Sequence, residues 1–310
     1  MIAGDDREIP GNRGVLPGPT PFEEEPGGYL LEDAQFALYA EVQEAHWWFA
    51  GRREIVRAIV HRLVAPSRST IVVDVGCGTG SNIAALADEY SCVGLEPSAE
   101  AVRFAQARSP SARFYWGASP DALGEIAGMA RLFLLMDVLE HVADDFHLLS
   151  TYLAAASPGA EFLITVPADM SIWNEQDIRL GHYRRYDRRR LERLWEGLPV
   201  SVKLLSHYNA RLYPIVRLIR AIGRATNRTW GDAGTDVNRR TGPMNRLLRR
   251  IFAGEQRILL ELLEGRRSIG YSRGVSLIAV LRREPGIATP RARPADIEPD
   301  PFHPEESHER

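Results

Sequence analysis

Cysteine is scarce in this chain: its 310 residues contain two, Cys77 and Cys92. Neither has metal-ligand spacing, which excludes a disulfide-stapled scaffold and a cysteine-ligated metal domain. Both fall in apolar stretches, so they are expected to be packing residues in a reducing, cytoplasmic compartment. Long apolar runs are missing as well. None reaches the roughly 18 residues that a spanning helix needs, and the amino-terminal stretch lacks the basic-then-apolar order of a secretory signal. Apolar residues are thin at both ends. Residues 1–28 carry Pro10, Pro17, Pro19, Pro21 and Pro26, and residues 284–310 carry Pro285, Pro290, Pro294, Pro299, Pro301 and Pro304. Such compositions bury too little surface to offset chain entropy, so both are expected to be disordered tails. The remainder is globular in character, and the whole chain is 45% hydrophobic and 25% charged with a net charge of −3. That bounds it to one α/β domain with appendages.

A pyrophosphate-binding G-x-G-x-x-G loop is also absent, and a different loop stands in its place. Ile71, Val72, Val73 and Val75 form an apolar, β-branched run that carries one acid, Asp74, and stops at Gly76, Gly78 and Gly80. The pattern predicts a buried strand breaking into a tight turn, then a helix over Asn82 to Glu89 whose first N–H groups lack partners. Asp74 would repel a phosphate, yet it suits a cofactor with a cationic amino-acid end. A second apolar strand, Cys92 to Leu95, ends at Glu96-Pro97-Ser98, with Glu96 sixteen residues past Gly80. A carboxylate at that tip can accept both hydroxyls of a ribose.

At these residues the chain resembles the class I S-adenosylmethionine-dependent methyltransferases. Their first motif is matched by Asp74-Val75-Gly76-Cys77-Gly78-Thr79-Gly80 and their second-strand acid by Glu96. The resemblance implies an α/β fold: a Rossmann-like seven-stranded sheet with N-terminal helices and a helical insertion before the last strand. It implies S-adenosylmethionine as cofactor, held by Asp74, Gly76, Cys77, Gly78, Gly80, Asn82, Glu96 and Pro97. Ala118 and Ser119, after the third strand, would border the adenine. Many relatives have an acid directly after the glycine there, so Asp121 is a further candidate. Met136, Asp137 and Leu139 would flank the methionine portion. Asp137, Glu140 and His141 also lie at i, i+3 and i+4, one face of a helical turn, and the ubiquinone-biosynthesis O-methyltransferases have a similar run with a divalent-ion site. Similar runs without metal are widespread in the superfamily. No metal is expected here, and His141 is retained as a catalytic candidate.

His182, within Trp173 to Tyr186 (WNEQDIRLGHYRRY), is the first candidate for a general base, because an imidazole titrates near neutrality. Tyr183 and Arg185 beside it are candidate acceptor contacts. So are His46 and Trp47 of the early His-Trp-Trp-Phe run, with Arg52 reaching inward. The alternative for that run is a hydrophobic clasp onto the domain. From Arg179 to Arg257 stand 18 Arg and 1 Lys against six acids, a local net of +13. Such asymmetry predicts an anionic neighbour: a small-molecule or lipid-like acceptor, with peripheral membrane contact as a further option. Nucleic acid is not expected, since aromatics are not interleaved with the basic residues. The expected units are a tail (1–28), a helical cap (29–66), the cofactor-binding core (67–207), a basic amphipathic helical insertion or lid (208–270), a final core strand (271–283) and a second tail (284–310). The expected activity is methyl transfer to a hydroxyl or amine of a small-molecule, natural-product or lipid-linked acceptor. The alternative is a non-catalytic, cofactor-binding accessory protein.

Overall fold

Ile71 to Val75 at the end of β1 (Ser67–Val75) and all of β4 (Leu132–Met136) are buried. Strands apolar on both faces belong in the middle of a parallel sheet covered by helices on each side, and that is where these lie. The computed structural model describes residues 42–226 and 242–297. Around β1 and β4 stand β2 (Tyr90–Glu96), β3 (Arg113–Trp116), β5 (Glu161–Pro167), β6 (Val200–Tyr208) and β7 (Ser276–Arg283), in the order β3-β2-β1-β4-β5-β7-β6. Pairs from β3 to β5 are parallel, and β7 runs antiparallel to β5 and β6. This is the seven-stranded sheet that the resemblance implied, and it places the carboxyl ends of five strands at one edge.

Residues alternate between two helical layers. Val72, Leu134 and Ile278 face α1 (Trp47–Leu63), which buries Ile55, Val56, Ile59 and Val60 at helical spacing. The crossovers of the parallel half hold α2 (Ser81–Ala84), α3 (Ala99–Arg108), α4 (Glu125–Met129) and α5 (Asp145–Ala155). On the other face Val73, Phe133 and Phe162 meet Phe146, Leu149 and Leu153 of α5, with the Phe133 and Phe162 rings stacked at 4.7 Å. The helix expected over Asn82 to Glu89 stops after one turn. From there the chain tightens, Leu86 N donating to Ile83 O at 2.9 Å, which swings Leu86 and Tyr90 into the core.

After β5 come α6 (Glu175–Arg179) and α7 (Arg188–Arg193), and the insertion between β6 and β7 forms α8 (Tyr213–Thr226), α9 (Pro243–Ala253) and α10 (Gln256–Leu263). The expected lid divides. Asn245 of α9 accepts from Trp47 N at 2.8 Å and donates to Ala45 O at 2.8 Å, and Phe252 meets the Trp47 ring edge-on, so α9 packs on α1. Only α8 stands beside the strand ends, where Arg220 donates to Ile172 O at 2.7 Å.

The N-terminal tail and residues 29–41 lie outside the described residues, as do 298–310. Residues 284–297 differ from the disordered tail expected there. Arg291 donates to the carbonyls of Arg193 and Leu194 at 3.0 and 2.9 Å and lies over the Phe146 ring, and Ile297 packs on the core. Arginine stems and fork-shaped heads anchor this proline-rich stretch without a hydrophobic run.

Gly94 lies between Asp74 and Phe114 in the sheet. A Cβ there would stand 2.6 Å from Phe114 Cδ1 and 2.7 Å from Cys77 Sγ. Gly94→Ala is therefore expected to destabilise the protein by about 1–3 kcal/mol through overpacking, read as a lower denaturant midpoint in chemical unfolding.

Candidate active site

The glycine loop joins β1 to α2 at the carboxyl edge of the sheet, where ligands of open α/β sheets bind. Gly78 (φ 52°) and Gly80 (φ 76°) both need the left-handed region. They differ in surroundings: a Cβ on Gly80 would strike Ala105 at 2.9 Å, whereas one on Gly78 would meet open space. Gly80 is there for packing and Gly78 for the turn that leaves room above it. Glu96 ties this loop to the next strand tip. Its Oε2 accepts from Gly78 N and its Oε1 from Ser98 N, each at 2.9 Å. Burial raises its pKa, while those two N–H donors work to lower it. Each oxygen keeps a second lone pair for a hydroxyl donor.

Asp74 is buried below the loop. Asn82 Nδ2 donates to its Oδ2 at 3.3 Å, and its Oδ1 has no hydrogen-bond partner. Burial pushes its pKa up to about 7, against the opposing pull of Asn82 and Arg52. An orphaned acceptor in a buried carboxylate is the feature that an ammonium group would complete. Arg52 of α1 reaches the same edge, its Nη2 lying 3.0 Å from Asp137 Oδ2. Asp137 also accepts from Thr165 Oγ1 at 3.1 Å and holds φ at 59°, a strained value for a non-glycine residue.

Deeper in the edge, the segment expected to carry a base is built around a residue that sequence reasoning passed over. Asp177 Oδ1 pairs with His182 Nδ1 at 3.0 Å and Arg185 Nη2 at 2.7 Å, and its Oδ2 accepts from Asn174 N at 3.0 Å. Burial works to raise the Asp177 carboxyl, but Arg185, His182 and Arg220 together hold it well below the usual carboxylate range. His182 is itself buried, and burial lowers its pKa while Asp177 resists. A neutral imidazole donating through Nδ1 to an ionised carboxylate leaves Nε2 as an acceptor. The His141 ring stands edge-on to it at 4.7 Å, and burial, followed by His182, pushes His141 down to about 3. Asn174-x-x-Asp177 is a capping-box pattern at the start of α6, and that was the signal available for Asp177.

The profile of a family described as a methyltransferase domain matches residues 48–198. No curated protein matches the chain. Among solved structures, the complex of the Haloferax volcanii Trm112 methyltransferase activator with its putative methyltransferase is 17% identical, covering 83% of this chain and 97% of that one, with a TM-score of 0.51. The plantazolicin methyltransferase BamL, in complex with a triazolic desmethylPZN analogue and SAH, is 14% identical over 81% of this chain and 91% of that one, at a TM-score of 0.49. Residues 48–198 carry a methyltransferase domain, on the fold of the class I S-adenosylmethionine-dependent methyltransferases. The matched segment ends before β6, so the sheet of this methyltransferase is closed by strands outside it.

Several candidate residues of the methyltransferase are placed differently from expectation. His46 caps α1, accepting from Trp48 N at 3.4 Å, with burial pushing its pKa down to about 4; with Trp47 held on α9, these two form the clasp rather than an acceptor contact. Tyr183 is buried with its N donating to Glu140 O at 2.8 Å, and Arg185 is spent on Asp177 and on Ala168 O at 3.1 Å. Both brace the edge rather than face an acceptor. Leu139 is fully buried in the core, leaving only its backbone at the edge, while Met136 closes β4. Ser119 caps the turn after β3, accepting from Asp121 N at 3.2 Å, and Ala118 O accepts from Tyr152 at 2.7 Å. Pro97 O accepts from Trp116 Nε1 at 2.6 Å, and Cys77 packs in the core as expected.

The three-residue metal set is rearranged too. Asp137 is turned to Arg52, and the ligand atoms that converge within 4.8 Å belong to Glu140, His141 and His182. Burial and then Asp137 push the Glu140 carboxyl well up. The +13 segment is likewise partly spent inside. Arg184, Arg185 and Arg220 are buried, and Arg190 Nη2 pairs with Asp145 Oδ1 at 2.8 Å.

Because the folded-state pKa of Asp74 is raised, it stays protonated up to about 7, while in the unfolded chain it ionises near about 4. Its burial therefore costs stability as pH rises between those values. A ligand ammonium favours the ionised form. S-adenosylhomocysteine binding at about pH 6 should release about one proton, measured by calorimetry in buffers of different ionisation enthalpy, and Asp74→Asn should remove that release and weaken binding.

Proposed function

We propose that this methyltransferase transfers its methyl group to a hydroxyl, or secondarily an amine, of a small-molecule or lipid-linked acceptor, with His182 as general base and Asp177 as its orienting partner. The observation that carries this is the 3.0 Å contact between His182 Nδ1 and the buried Asp177 carboxylate. S-adenosylmethionine supplies a carbon already activated by its sulfonium.

The chain's own residues then bind and align. Glu96 takes the ribose hydroxyls on its free lone pairs, Asp74 takes the ammonium, and Asn82 holds the Asp74 carboxylate in place. Asp137, Met136 and the backbone at Leu139 border the methionine portion, and Ala118 and Ser119 the adenine. In-line displacement asks mainly for alignment and exclusion of water. A hydroxyl also needs somewhere to leave its proton. His182 Nε2 receives it, and the ionised Asp177 stabilises the imidazolium that results. Arg185 and Arg220 fix Asp177, so its carboxylate cannot swing away as the charge on His182 changes. The reading requires no metal.

His182→Ala should lower kcat by roughly 100-fold or more while the affinity for S-adenosylhomocysteine stays within about two-fold. Asp177→Asn should give a smaller loss. Since burial lowers the His182 pKa, the neutral base persists to more acid pH than in a free imidazole, and kcat should fall only below the ordinary histidine midpoint of about 6.5. Equal turnover in parent and His182→Ala would remove the base assignment. Exhaustive chelation should leave turnover unchanged; loss of turnover restored by a divalent ion would instead give Glu140, His141 and His182 to a metal.

A further inference from the structure

Helix α8 is turned inside out. Arg220 points inward, its Nη1 donating to Ile172 O at 2.7 Å and standing 3.6 Å from Asp177 Oδ2. Its apolar residues point outward: Ile215, Leu218 and Ile219 are 54%, 61% and 42% exposed. An amphipathic helix normally buries its apolar stripe against the domain, so an exposed stripe of this kind marks a contact surface.

Beside the first turn of α8 lies a pocket of about 480 Å³, lined by Arg211, Tyr213, Arg217, Tyr271 and Arg273. It lies at the β6–β7 side of the sheet edge, away from the glycine loop. The three arginines form no ion pair among the described residues. Two carboxylates lie nearby: Asp169 accepts from the Tyr213 hydroxyl, and Glu255 Oε1 accepts from Ala210 N and Arg211 N at 2.9 Å each, while its Oε2 has no hydrogen-bond partner. The Tyr271 ring lines the same pocket, its hydroxyl buried beside Arg211. Three guanidinium groups around one open pocket suit an oxyanion with several acceptor atoms, such as a phosphate.

We propose that this pocket and the outer face of α8 form one docking site for an anionic lipid surface. A headgroup phosphate sits among Arg211, Arg217 and Arg273, and Ile215, Leu218 and Ile219 enter the boundary with the acyl chains. Charge complementarity selects the surface, and the apolar stripe selects a lipid over a soluble phosphate: a free phosphate has no use for three exposed aliphatic side chains on the same helix as Arg217. Helices that lie in a membrane interface combine these two features. Docking does not depend on the assigned chemistry. If that chemistry holds, the helix facing the lipid also carries Arg220 to Asp177, which places the surface next to His182.

The test uses the full chain in co-sedimentation with vesicles of phosphatidylcholine, alone or mixed with phosphatidylglycerol, at low and high salt. The expected result is binding to the mixed vesicles only, weakened by salt. Arg217→Ala and Arg273→Ala should each lower the partition coefficient roughly five-fold, and Leu218→Asp should lower it by more than about ten-fold. Because these side chains are exposed, melting temperature and S-adenosylhomocysteine affinity should stay at parent values, separating this result from failure of the methyltransferase reading. Absence of binding to mixed vesicles would overturn the proposal, as would binding that all three variants retain. Thermal stabilisation by inorganic phosphate or pyrophosphate without vesicle binding would also overturn it, assigning the pocket to a soluble ligand.

Discussion

Desolvation of carboxylates at the carboxyl ends of the parallel strands is the constraint on which the rest of the site depends. Asp74, Glu96, Glu140, Asp145 and Asp177 are all buried there, and a buried charge persists only when cations or N–H donors reach it. Glu96 is met by two backbone amides, Asp145 by Tyr186, Arg184 and Arg190, and Asp177 by His182, Arg185 and Arg220. Asp74 alone among the carboxylates of the glycine loop keeps an oxygen without a partner. The gap lies where the amino-acid end of a sulfonium cofactor is proposed to sit.

This pairing gives the His-Tyr-Arg-Arg-Tyr run a mechanical meaning. Arg184 donates to the carbonyls of Leu139 and Ala143 at 2.9 and 3.0 Å, beyond the tip of β4, and Arg185 binds Asp177 and Ala168 O, beyond the tip of β5. Tyr186 donates to Asp145 at 2.7 Å. Three consecutive residues thus lace two strand tips together and fix the loop that carries His182. Removing one partner of a buried pair of this kind costs about 3–5 kcal/mol, so these arginines hold the shape of the site whether or not they touch a substrate.

The glycine loop and the second-strand acid were legible in sequence because each rests on local chemistry: β-branched runs, glycines where the backbone needs positive φ, and an acid at a fixed distance; the seven-stranded sheet followed from the resemblance that those residues carry. His182 was legible as a titratable group but not as a buried one. Its partner Asp177 is five residues away, and their contact depends on α6 ending where Leu180 and Gly181 turn the chain back. The packing partners of His46, Trp47, Tyr183 and Arg185 were not legible for a common reason. Aromatic and basic residues near a pocket edge can face the ligand or brace the wall, and only the packing partner decides which. For Trp47 that partner, Phe252, is two hundred residues downstream.

Charge counting met the same limit. The excess of arginine between 179 and 257 is a property of the sequence, but Arg184, Arg185, Arg190 and Arg220 point inward to Asp145 and Asp177, and the exposed ones are shared out, with Arg211 and Arg217 beside the first turn of α8, Arg188 and Arg189 on α7 and Arg246, Arg249 and Arg250 on α9. By itself the sequence determined the glycine turn and the placing of Asp74 and Glu96 near two strand ends, since these follow from backbone conformation and nearest neighbours. The tertiary structure alone decided which arginines are braces, which histidine has a carboxylate behind it and which face of α8 meets solvent, because each of those depends on contacts between segments that the chain brings together only on folding.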